Sequence, residues 1–161
     1  MQSATTPQNT AADVHPGDLL REQLDALPSS SRLSSEQLEV VYALAYSHVA
    51  QHQYEQAMPI FSFLCLYGPT RKHYLVGLAL CLQMCQRYEE AIDIYALVLT
   101  LYPDHYDAAL RIAECQLANE QLDAALITLD LLYEVGQAAP EQAPWLAKVM
   151  ALQKLLQGST A

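Results

Sequence analysis

Basic residues are few in this chain: 8 lysines and arginines stand against 18 acidic residues, a formal net charge of −10 at pH 7. That sign is wrong for neutralising phosphates or settling on an anionic leaflet, so nucleic-acid and membrane-surface binding are not expected. Long apolar runs are missing too. No stretch approaches the ~20 residues that a bilayer requires, and residues 1–18 lack the basic start and apolar centre of a signal or transit peptide, so neither membrane insertion nor export is expected. Glycine is rare, with 5 in 161 residues. Neither a glycine-rich phosphate loop nor the alternation of a half-buried strand occurs. The 4 cysteines, Cys65, Cys81, Cys85 and Cys115, lie inside apolar helical pattern and not among loops. A free thiol there behaves as a small hydrophobe, which points to a reducing cytosol.

What is present is apolar and helical. Apolar residues make up 52% of the chain, enough for a core without disulfides. Residues 1–17 are mostly Thr, Gln, Asn, Ala and Pro, with Val14 the one branched aliphatic side chain, and are expected to be a disordered tail. Residues 18–27 can form a short amphipathic helix with Leu19, Leu20, Leu24 and Leu27 on one side, followed by a Pro-Ser linker to residue 33. Ser34 then offers an N-cap, with Gln37 at the capping-box spacing.

From there the pattern repeats. The stretch QRYEEAIDIYALVLTLYPD (86–104), moved back by 34 residues, falls on HQYEQAMPIFSFLCLYGPT: Tyr88 meets Tyr54, Ala91 meets Ala57, Tyr95 meets Phe61 and Pro103 meets Pro69. Moved forward by 34 it meets Leu122, Ala125 and Leu129, with Gln137 in place of the proline. The pattern resembles the tetratricopeptide repeat, a helix pair with small residues at positions 8 and 20, an aromatic at 24 and proline at 32. Three repeats follow, 38–71, 72–105 and 106–139, within a repeat region spanning 34–139; Ala45, Ala79 and Ala113 occupy position 8. Small residues there let the paired helices approach closely. A capping helix is expected from Pro140 to about residue 156, presenting Trp145, Leu146, Val149, Leu152 and Leu156, with the remaining residues to 161 as a tail. The fold expected is an all-α superhelix of three repeats with an N-terminal helix and a C-terminal cap.

In stacked repeats of this kind, positions 5, 9 and 12 of the first helices line a concave groove. Here they are Tyr42, Tyr46 and Val49, then Val76, Leu80 and Gln83, then Leu110, Glu114 and Leu117, with Met84 at position 13. Apolar side chains dominate, and covering each stabilises by ~1.5–3 kcal/mol, so a groove of this kind suits an apolar peptide. No Lys, Arg or Asn stands at these positions, which argues against a clamp for a terminal carboxylate. A second reading has these side chains packed against the N-terminal leucine helix or the C-terminal cap, closing the groove in the free protein.

Catalytic and metal chemistry find little support. His48 and His52 stand four residues apart, a spacing at which one helix could share a metal, but no third ligand is near. Cys81 and Cys85 suit core packing better than redox work. Glu89 and Glu90 open a second helix, where they favour its dipole. No cofactor, metal or catalytic residue is expected.

At finer grain the repeats resemble the tetratricopeptide chaperones of bacterial type III secretion systems that hold hydrophobic translocator subunits. The resemblance covers residues 38–132 and rests on Phe61-Leu64-Cys65, on Gly77-Leu78-Cys81-Gln83, and on Ala113-Glu114-Cys115. It implies a non-catalytic protein of the bacterial cytoplasm whose groove, through Tyr42, Tyr46, Val49, Val76, Leu80, Met84, Leu110 and Leu117, binds an extended translocator segment with spaced prolines and a leucine. A homodimer of the free protein belongs to the same set of implied partners. The alternative is a tetratricopeptide scaffold, or a needle-subunit chaperone or assembly factor of the same apparatus.

Overall fold

A computed structural model describes residues 15–159; residues 1–14 of the expected N-terminal tail and 160–161 of the expected C-terminal tail lie outside it. Among the described residues there are eight α-helices, two short 3-10 turns and no strand. The first helices of the three pairs are α2 (Ser35–Ala50), α4 (Lys72–Met84) and α6 (Tyr106–Ala118). The second helices are α3 (Tyr54–Tyr67), α5 (Tyr88–Leu101) and α7 (Leu122–Ala138). Consecutive helices pack on one another along the whole series, as expected of a stack in which each hairpin buries its apolar side on the next.

The repeat alanines explain the close packing. Ala45, Ala79 and Ala113 on the first helices, and Ala57, Ala91 and Ala125 on the second, are all fully buried at 0% exposure. Phe61, Tyr95 and Leu129 fill the space beside them. Ser34 caps α2 as its spacing predicts: Gln37 N–H donates to Ser34 Oγ (3.2 Å), and Ser34 N–H donates to Gln37 Oε1 (2.9 Å).

Each first helix ends in the same way. His52, Gln86 and Glu120, one repeat apart, are left-handed with φ of 58°, 61° and 59°. The next residue's N–H turns back to the helix: Gln53 to His48 O, Arg87 to Leu82 O and Gln121 to Gln116 O, at 2.9, 2.9 and 2.8 Å. This Schellman arrangement satisfies carbonyls that a helix end leaves open. It also corrects the reading of His48 and His52 as neighbours on one helix, because α2 stops at Ala50 and His52 has left the helical path. His48 Nδ1 pairs with Gln53 Oε1 (2.7 Å) and His52 Nδ1 with the Tyr54 hydroxyl (3.0 Å). Among the described residues no three metal-binding side chains gather.

The N-terminal helix, α1 (Pro16–Asp25), starts two residues before the expected boundary. Pro16 suits the first turn, where no N–H is needed, and His15 Nδ1 accepts from Gly17 N–H (3.1 Å). α1 lies against α5 and the 3-10 turn Pro28–Ser31. Only part of the leucine stripe is used: Leu20 and Leu24 pack on the cluster around Leu75, Val98 and Leu101, whereas Leu19 and Leu27 are exposed. Asp25 accepts from Thr70 Oγ1 (2.6 Å), Arg21 donates to the Leu101 carbonyl, and the Arg21 guanidinium stands 4.7 Å over the Tyr102 ring. Because α1 rests on a second helix, it does not close the groove of the first helices, contrary to that part of the self-packing reading.

Gly17 decides this docking. A Cβ there would lie 1.9 Å from the Thr100 carbonyl oxygen, and a backbone atom inside a helix cannot yield as a side chain can. Gly17→Ala is expected to lift α1 off α5. Amide hydrogen exchange over residues 16–25 should accelerate about tenfold or more while α4 and α5 keep their protection.

The cap also departs from expectation. Pro140–Gln142 forms only a 3-10 turn, and the α-helix, α8 (Leu146–Ser159), begins six residues after Pro140. Pro144 explains the delay, because an interior proline removes a helix bond and drives its predecessor out of the helical region. Trp145 and Val149 are buried as predicted, and Leu146, Leu152 and Leu156 pack around the same cluster.

Candidate peptide-binding cleft

Three of the predicted groove residues come together in one cleft of about 570 Å³. Val76 and Leu80 of α4 form one wall and Leu110 of α6 the floor, with Pro144, Trp145 and Lys148 closing the far side. Leu110 is only 6% exposed, packed with Trp145 and Val149, so at this repeat the chain's own cap covers part of the expected open groove. Tyr42 and Tyr46 form a separate aromatic patch on α2. Tyr42 is half-buried, edge-on to His73 (4.8 Å between ring centres) and 5.7 Å from Tyr74, while Tyr46 stays 59% exposed. Val49, Met84 and Leu117 stand at or near the C-terminal ends of α2, α4 and α6, outside the cleft; Met84 is exposed and the other two half-buried.

The polar side of the cleft escaped the sequence reading. Arg111 lies at repeat position 6 and Lys148 comes from the cap, so neither is a position 5, 9 or 12 residue, yet both line the cleft. Both pair with Glu114, Arg111 at 3.3 Å and Lys148 across the cleft, and Gln83 Nε2 also donates to Glu114 (3.4 Å). Tyr95 O–H donates to Gln83 Oε1 (3.0 Å), and burial holds its phenol well above the ordinary range. One carboxylate thus serves both cations and ties α8 to α6, so the cleft offers apolar walls beside a charged, hydrogen-bonded rim. His105 also lines it; burial, and then the nearby Lys72 charge, lower its pKa, so it stays neutral.

Beside the aromatic patch, Glu39 accepts from Tyr74 O–H (2.7 Å), pairs with His73 (3.1 Å) and faces Arg71 at 4.0 Å. The Tyr74 hydrogen bond, foremost among these, lowers the Glu39 pKa below its ordinary 4.5. A lowered carboxylate pKa contributes stability that is present above the unfolded value and is lost as the pH falls through the folded one. The wild type should therefore melt about 1–3 °C above Glu39→Gln at neutral pH, since the carboxylate is partly exposed. A melting series should show that gap close as the pH falls below 4.5.

Burial pushes the Cys65 thiol up to about 12 and those of Cys81 and Cys115 to about 11, so all three remain protonated at neutral pH.

Two family profiles, each described as tetratricopeptide repeat, match residues 42–104 and 82–149. Over 102 residues the chain is 28% identical to the chaperone protein SicA of Salmonella typhimurium, 63% of this chain and 62% of SicA. The chain is a tetratricopeptide-repeat protein, homologous to the type III translocator chaperones. It matches less than two thirds of SicA's length. Among solved structures, the type III secretion chaperone SycD of Yersinia enterocolitica, in complex with a peptide of the translocator YopD, superposes with a TM-score of 0.72 at 25% identity, covering 81% of this chain and 100% of that one. PcrH of Pseudomonas aeruginosa superposes at 0.69 with 26% identity, over 78% of this chain and 95% of PcrH, and PcrH has also been solved with the chaperone binding region of PopD. SycD has been observed as an alternative dimer. Homologues of this chain are thus translocator chaperones, and among the described residues no helix is long and apolar enough to cross a membrane.

Proposed function

We propose that the chain is a non-catalytic chaperone of the bacterial cytoplasm that holds an extended apolar segment of a type III secretion translocator on the face of its first helices. The observation that carries this reading is the apolar cleft of Val76, Leu80, Leu110 and Trp145, with Arg111 and Lys148 at its edge held by Glu114. An extended segment buries alternate side chains and leaves its carbonyls free to meet polar groups at the rim. Tyr42 and Tyr46 on α2, and Val49, Met84 and Leu117 at or near the ends of the first helices, are further contacts for such a segment. The solved pairings of relatives with translocator segments support the same class of client. Self-repulsion from a net charge of −10 helps to keep the chaperone and an apolar cargo in solution.

Coexpression with a translocator from the same bacterium tests the reading. A stable, soluble complex at equal stoichiometry is the expected result, with light scattering reporting whether a free homodimer gives way to it. A translocator that stays insoluble, or a chain recovered only with needle components, would overturn the proposal in favour of an assembly factor.

A further inference from the structure

The 34-residue period relates two grooves on the outer side of the protein position by position. α1 covers the first: Leu20 and Leu24 pack on the cluster that Leu97 and Leu101 join, Thr70 donates to Asp25, and Arg21 stacks on Tyr102. Advancing Leu97, Leu101, Thr70 and Tyr102 by 34 residues gives Leu131, Val135, Asp104 and Gly136. Leu131 and Val135 line a second groove between α5, α6 and α7, about 420 Å³ and almost wholly apolar, which also takes in Leu99, Tyr106 and Ile112. No described helix lies over it as α1 lies over the first. The contrast is direct: Leu101 is 1% exposed, whereas its counterpart Val135 is 40% exposed and Leu131 is 60% exposed.

We infer that this second groove docks an amphipathic helix of a partner protein, one with two leucines a turn apart and a basic residue where α1 carries Asp25. The shape follows from the repeat, since the groove is the counterpart of one that a leucine helix already fills. The charge follows from the substitutions. Asp104 stands where Thr70 meets Asp25, and Glu134 stands where Thr100 meets Gly17. Seated here, a second copy of α1 would set Asp25 against Asp104 and would lose the Tyr102 ring under Arg21. A lysine or arginine at the Asp25 position would instead find a carboxylate. The groove lies on the second-helix side of the repeats, away from the cleft between α4 and α6, so both can be occupied together. The inference therefore goes beyond the proposed client and does not depend on it.

Two fluorescent, helix-stapled peptides with the sequence of residues 15–27, one native and one carrying Asp25→Lys, test this against the full-length chain by anisotropy at low salt. The Asp25→Lys peptide should bind roughly two- to fivefold more tightly than the native one, the range expected of exposed charge pairs. Asp104→Lys in the protein should reverse that order. Leu131→Glu should abolish binding of both peptides without changing the melting temperature, because Leu131 is exposed. Equal affinities, failure of either peptide to bind, or binding that survives Leu131→Glu would overturn the inference. So would tighter binding of the native peptide accompanied by self-association, which would make a second copy the occupant.

Discussion

Leu80→Glu should reduce the affinity for a translocator segment by about 100-fold or more while the circular dichroism spectrum of the free protein stays the same. Losing the apolar contact costs about 1.5–3 kcal/mol, and a carboxylate trapped in an apolar wall adds a desolvation penalty that the cleft's Arg111 and Lys148, both already paired with Glu114, offset only in part. Together these exceed the roughly 2.8 kcal/mol that a 100-fold change represents. The cleft's cations, Arg111 and Lys148, are already engaged by Glu114, whose charge has the same sign as the new carboxylate. In the free protein Leu80 lies on the open wall of the cleft, so the substitution does not bury a charge until a ligand arrives. Leu80→Gln, which keeps the shape without the charge, should lose only about tenfold. Tyr46→Glu, at an exposed position of the aromatic patch, should fall between no effect and that value. Calorimetric titration of a translocator peptide separates these grades, and an unchanged affinity in Leu80→Glu would remove the α4 wall from the binding surface.

Gly77→Ala should destabilise the protein, although the same exchange inside an exposed helix would favour it by about 1 kcal/mol. The reason is Phe61. A Cβ at Gly77 would lie 2.1 Å from Phe61 Cε1 and 2.4 Å from Cζ, and the ring is only 2% exposed, packed between α2, α3 and α4. A rigid buried ring can move only by displacing its neighbours, and overpacking of this kind typically costs about 1–3 kcal/mol. The melting temperature should fall by about 3–10 °C for a chain of this size. Phe61→Leu should itself destabilise, but combined with Gly77→Ala it should recover part of the loss, because the smaller side chain vacates the space the new methyl needs. If the single Gly77→Ala variant melts higher than wild type, the close approach of α3 and α4 is not as described.

The repeat register was legible because it depends on residues that must be small. Ala45, Ala57, Ala79, Ala91, Ala113 and Ala125 stand at contacts between neighbouring helices, where any larger side chain would push the hairpins apart, and their spacing alone reveals the stack. The Ser34–Gln37 cap is local in the same sense and could be read from four residues. The candidate cleft was half legible. Val76, Leu80 and Leu110 follow from repeat positions, but Arg111, Lys148 and the cover that Trp145 places over Leu110 do not. Arg111 stands at repeat position 6, off the expected groove positions, and Lys148 and Trp145 belong to the cap, whose start Pro144 delays and whose seat on the last repeat depends on contacts distant in sequence.

The helical pairs, their number and their inward faces follow from a 34-residue period of small and apolar residues, since close packing between adjacent hairpins tolerates little else at those sites. Where the two ends of the chain settle is a different matter. α1 lies across α5 because Gly17 admits the Thr100 carbonyl and Thr70 meets Asp25, and Lys148 reaches Glu114 because α8 folds back over α6. Neither end repeats, so no period announces its position. Each is held by a few contacts between residues far apart in sequence, which exist only once the stack has formed.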